Sequence, residues 1–167
     1  MGGKAKIPMA ELRTHLFKAG IKDVTTYIQS GNIVFSSEIK DTVELSDLIH
    51  NLISEEFGLD IEVVVFSGVK WSEIVRKAPK WWGFDESRKH NLLILIPPYD
   101  MDEVMRAISE LKPGIESAQA GNGVVYQSMS IKLFGRTTTG KLASSSIYKR
   151  MTVRNYNTVL KLLKLLD

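Results

Sequence analysis

The chain has 167 residues, 44% hydrophobic and 25% charged, with a net charge of +3 and no cysteine. This is ordinary globular composition, long enough to bury about 70% of the unfolded surface without a metal or disulfide staple. The lack of cysteine excludes disulfides, thiolate nucleophiles and cysteine metal sites, and accords with a reducing compartment. The longest apolar run, Leu92 to Ile96, is far short of the about 20 residues that span a bilayer. No apolar secretory core opens the chain. The expectation is a cytoplasmic protein with no membrane partner.

In chain order, residues 8–20 read as a helix, with Pro8 in its first turn, Leu12 and Leu16 on one face and Gly20 at its end. Val24 to Gln29 and Ile33 to Ser36 read as strands joined by Ser30-Gly31-Asn32, a hairpin whose glycine is free to take positive φ. Residues 42–57 form the clearest helix. Asp41 and Glu44 have capping-box spacing, Leu45, Ile49 and Ile53 share a face, and Gly58 ends it. Ile61 to Phe66 is apolar and β-branched, the pattern of a buried strand. Val69 to Ala78 reads as a helix closed by Pro79, and Lys80 to Lys89 as a loop holding Trp81 and Trp82.

Leu92 to Ile96 reads as another buried strand, and residues 101–112 as a helix capped by Asp100. Ile115 to Ala120 and Val124 to Gln127 flank Gly121-Asn122-Gly123, a second hairpin signal. Ile131 to Phe134 either continues that strand or forms a new one. Leu142 to Arg150 and Asn155 to Leu166 read as two closing helices.

This order predicts an α+β fold of two split-βαβ (ferredoxin-like) units with mainly antiparallel sheets, divided as residues 1–67 and 68–167. Each unit lacks one strand of the βαββαβ pattern: the first its opening strand, the second its closing one.

Gly2-Gly3-Lys4, Met9-Ala10-Glu11-Leu12 and Thr26-Tyr27-Ile28-Gln29-Ser30-Gly31-Asn32-Ile33-Val34-Phe35 resemble the uncharacterised bacterial proteins grouped as domain-of-unknown-function family 1697. Arg154-Asn155-Tyr156-Asn157-Thr158-Val159 resembles that family's closing motif. The resemblance implies two ferredoxin-like units and no particular reaction. It also implies a strand ahead of Gly2, absent here, that would be central in its sheet. Either the natural start lies upstream, or another segment fills the gap. The incomplete sheet is a route to self-association.

The chemistry-bearing features are few. Gly135 to Lys141 has G-x4-G-K spacing, but Leu142 replaces the Ser or Thr that would hold Mg²⁺, so a nucleotide hydrolase is disfavoured. Backbone amides there, with Lys141, could hold an anion. Residues 132–167 carry eight cations and one carboxylate, whereas residues 1–131 carry 14 and 18. That asymmetry marks the C-terminal third as either a polyanion-binding end or a solvated face. His15, His50 and His90 have no ligand spacing, so neither a metal nor a cofactor is expected. The pocket candidates are Gln29, Ser30, Asn32, Lys141, Arg154 and Asn155. The first functional reading is a non-enzymatic binding protein for an anionic ligand or nucleic acid. The rival is a small enzyme with its site between the units, near Ser30, Asn32 and Arg154.

Overall fold

The computed structural model describes residues 6–28, 31–108 and 111–167, without the side chains of Thr139, Gly140 and Lys141. The chain divides into two compact units, residues 1–68 with 162–167, and residues 69–161.

In unit 1, helix α1 (Met9–Lys18) follows Pro8, whose extended backbone caps it without a side-chain bond. Strands β1 (Lys22–Tyr27) and β2 (Asn32–Ser36) pair antiparallel, Thr25 opposite Val34 and Tyr27 opposite Asn32. Gly31 takes φ +81° between them, a conformation that only glycine adopts without cost. Helix α2 (Thr42–Phe57) starts where Asp41 Oδ1 accepts the Val43 and Glu44 amides at 2.8 and 3.3 Å. It ends at left-handed Gly58. Leu12, Leu16, Ile21, Ile49 and Ile53 form the buried core, and Ile33, Phe35, Ile61, Val63 and Val65 pack on it half-buried.

The expected strand over 61–66 is not one. Among the described residues, 61–66 form no ladder. Side chains of α2 hold this segment instead. His50 Nδ1 donates to the Ile61 carbonyl at 2.7 Å, and the Val65 amide donates to Ser46 Oγ at 3.2 Å. A β-branched apolar run favours extended backbone, but a strand also needs a paired edge.

In unit 2, helix α3 (Gly68–Arg76) leads to β3 (Arg88–Leu95), α4 (Met101–Ile108), β4 (Glu116–Ala120) and β5 (Val124–Ser130). Then come the short helix α5 (Thr139–Ser144), β6 (Met151–Asn155) and α6 (Tyr156–Lys164). The sheet order is β4-β5-β3-β6, every neighbour antiparallel. This is a complete split βαβ sheet with its first strand central.

The expectation of a helix through Arg150 and a missing closing strand is therefore corrected. The helix stops at Ser144, and Met151–Asn155 is the strand, pairing Met151 with Leu95 and Val153 with Leu93. It passes into α6 without a turn residue, because Asn155 Oδ1 accepts the Thr158 amide at 2.9 Å. No glycine or proline marks that boundary. Ile131 to Phe134 neither extends β5 nor makes a new strand; a 3-10 turn covers Phe134–Arg136.

Both faces of this sheet are covered. Leu93, Leu95, Val125 and Met151 pack against Val104 and Ile108 of α4 and Leu142 of α5. On the other face, Tyr126 donates its hydroxyl to the Ile74 carbonyl at 2.5 Å. Trp82 sits edge-on to Tyr126 and Tyr156, with ring centroids 5.4 and 4.8 Å away. Its indole N–H donates to the Asn91 carbonyl at 2.9 Å. Gly83, at φ +86°, passes so close that an added Cβ would lie 2.2 Å from the Tyr156 ring. Among the described residues no helix is long and apolar enough to cross a membrane.

Candidate functional site

The six pocket candidates fall in different places. Gln29, Ser30 and the side chain of Lys141 lie outside the described residues. Asn32, 6% exposed, belongs to unit 1, where its Nδ2 donates to the Tyr27 carbonyl at 3.1 Å and closes the hairpin. Arg154 and Asn155 belong to unit 2, adjacent in β6, and so project to opposite faces. The Arg154 guanidinium donates to Thr152 Oγ1 at 2.7 Å and to the Val153 carbonyl at 2.9 Å. Burial pushes its pKa down from the usual arginine value. Asn155 caps α6.

The glycine-rich stretch 135–141 is built around a group that no motif announced. Glu116, 4% exposed at the start of β4, accepts the Thr138 amide at 2.6 Å and the Thr138 hydroxyl at 3.0 Å through Oε1. Its Oε2 accepts the Lys112 amide at 3.3 Å. Lys112 Nζ in turn donates to the Arg136 carbonyl. A phosphate loop needs its amides free at the helix start. Here a buried carboxylate takes the Thr138 amide, and its charge repels phosphate. The Thr138 amide is thus already engaged by the protein.

The connection from β5 to β6, residues 131–150, carries Lys132, Arg136, Lys141, Lys149 and Arg150 and no carboxylate. Lys132, Arg136, Lys149 and Arg150 are exposed and make no ion pair among the described residues. At one end, Lys89 Nζ stands 5.2 Å from the centroid of the Phe134 ring, itself 44% exposed. Beside it Arg88 is a structural clamp. Its Nε donates to Ser128 Oγ at 2.6 Å, and its Nη2 donates to the Ile115 carbonyl at 3.1 Å. The Ser87 hydroxyl and amide hold the nearby Asp85 carboxyl below its ordinary pKa. Sequence reasoning singled out the charge of this region but missed Lys89 and Phe134, which only the sheet brings together. Trp82, in the loop over 80–89, is core. No group of three His, Asp or Glu side chains among the described residues could hold a metal ion.

The geometry defines an α+β protein whose second unit is a complete antiparallel split-βαβ sheet with one basic connection. The chain belongs to the family described as protein of unknown function (DUF1697), which matches residues 1–126. The closing motif from Arg154 to Val159 lies beyond that span. A solved structure of a conserved bacterial protein from Streptococcus pneumoniae is similar over 100% of this chain and 93% of its own, at 27% identity and a TM-score of 0.87. No curated protein matches the chain in sequence.

Proposed function

We propose that this protein is a non-enzymatic, cytoplasmic binding protein for an anionic ligand, with nucleic acid as the polyanion that best suits its basic connection. One observation carries the reading: residues 131–150 hold five cations and no carboxylate. Four of those cations are exposed and unpaired among the described residues. Such a cluster is costly to hold together without a partner and releases counterions when a polyanion binds. Lys89 against exposed Phe134 adds a cation and an aromatic face at its edge. Binding on the sheet face itself, as in RNA-recognition sheets, is a poor alternative, because Tyr126 lies under Trp82 and bonds to the Ile74 carbonyl.

The test is a titration of a fluorescent single-stranded oligonucleotide at several salt concentrations. Each phosphate neutralised contributes a slope of about −0.7 in log K against log [salt] for single strands, so three or four engaged cations give about −2 to −3. The double variant Lys149→Ala, Arg150→Ala makes the slope shallower by about 1.4. Absence of binding at low salt sinks the nucleic-acid reading.

A further inference from the structure

One row of the unit 2 sheet is made of carboxamides. Asn91 of β3 stands opposite Asn155 of β6 on one side and Gln127 of β5 on the other. Residues directly opposite in an antiparallel ladder share a face, so the three amides lie side by side on strands about 5 Å apart. Asn91 alternates with Leu93 and Leu95, so this is the face that α4 and α5 cover further along. Tyr126 and Trp82 close the opposite one. Exposed Lys89, two residues before Asn91, is next on the same face and stands against the Phe134 ring.

The fold does not account for these amides. Gln127 is 4% exposed, yet its side chain makes no hydrogen bond among the described residues. Nor does the side chain of half-buried Asn91, whose backbone carbonyl takes the Trp82 indole. Asn155 Oδ1 accepts the Thr158 amide, which leaves its Nδ2. Buried carboxamides are rarely left so, because an unmet polar group is less stable there than an apolar one of the same shape. Strand pairing does not require them: the neighbouring row, Leu93 with Val125 and Val153, is apolar. The Gln127 amide is not sealed in either. Among the described residues, His90 Nδ1 on the opposite face is the one fully enclosed side-chain polar atom without a partner.

We infer that this row is a recognition site for a single planar heterocycle of the nucleobase kind. A carboxamide offers a donor and an acceptor without charge, which suits the donors and acceptors along a base edge. Gln127 forms the floor, and Asn91 and Asn155 form the more open side. Phe134, 44% exposed beside Lys89, supplies an aromatic surface at the end of the row. This inference does not rest on the polyanion reading, since a base without phosphate satisfies it.

The probes are the neutral nucleosides adenosine, cytidine and uridine, added to the ¹⁵N-labelled full chain while the side-chain NH₂ signals of Gln127 and Asn91 are followed by NMR. The expected result is a saturable shift of both signals with at least one nucleoside, and affinities that differ about fivefold or more between bases. Gln127→Met, of similar volume without the amide, weakens binding about tenfold. Asn91→Leu does the same at a half-buried position, and so keeps the test open if the first variant fails to fold. Three results overturn the inference. One is no saturable shift up to about 10 mM of any nucleoside, in which case water alone satisfies the amides. Another is unchanged affinity in a folded variant. The last is an equal shift with ribose alone. Because the nucleosides carry no phosphate, failure here leaves the salt-dependent oligonucleotide titration standing, and failure of that titration leaves this one standing.

Discussion

Replacing Glu116 by Gln tests the idea that a buried carboxylate, not a phosphate, organises the 135–141 loop. The substitution keeps size and shape but removes the charge. It also turns one acceptor oxygen into an NH₂ that faces an N–H or O–H donor. Oε1 serves two donors of Thr138 and Oε2 serves the Lys112 amide. A hydrogen bond to a charged acceptor contributes about 1.5–3 kcal/mol, and a buried donor left unmet costs about 1–3 kcal/mol. Removing the charge also relieves the cost of burying it, which offsets part of the loss. The net expectation is a loss of about 2–4 kcal/mol in unit 2. Urea unfolding followed by tryptophan fluorescence measures it, since Trp71 and Trp82 are both core residues there. Hydrogen exchange gives the local readout: the Thr138 amide exchanges at least tenfold faster in the variant. If stability changes by under about 0.5 kcal/mol and the Thr138 amide is unmoved, the carboxylate does not hold the loop and the argument against a phosphate cradle falls.

Gly83→Ala combines a left-handed φ with a clash against Tyr156, and is expected to cost at least about 2 kcal/mol by urea denaturation. The Tyr126 phenol is held above its ordinary pKa by burial, so the folded state resists its ionisation. The stability this confers is complete below about pH 10 and falls as pH rises through the raised folded value, because the unfolded chain loses the proton first. Denaturant midpoints measured across that range should fall more steeply for the parent than for Tyr126→Phe. Asp41→Ala removes the acceptor for two amides at the start of α2 and should cost about 1 kcal/mol, read as a shift in thermal midpoint.

What could be read from the sequence was local. Asp41, the Leu45-Ile49-Ile53 stripe and Gly58 write the start, face and end of α2 into 18 consecutive residues, and the helix runs Thr42–Phe57 as expected. Gly31 likewise carries its hairpin, and Asn32 does what an asparagine in a turn usually does. Strands fared worse because pairing is not local. Residues 61–66 have the stronger strand composition yet form no ladder among the described residues, whereas the mixed segment Met151–Asn155 is a strand because β3 presents an edge to it. The candidate site divides in the same way. Clustered charge over 131–150 is visible in the chain. Glu116 is invisible as a loop organiser, since its partner Thr138 lies 22 residues away across a hairpin.

The central place of β3 has a consequence for synthesis. This strand emerges first among those of its sheet, but its second edge is closed only by β6, from Leu95 to Asn155 about sixty residues later. At roughly 5–20 residues per second, translation leaves that edge bare for about 3–12 seconds. During that time Leu92 to Leu95, the most apolar run in the chain, is held by β5 alone at best. An unpaired central edge at that stage is the part of the sheet most open to aggregation. Slow codons between Ser130 and Met151 would lengthen the exposure, and fast ones would shorten it.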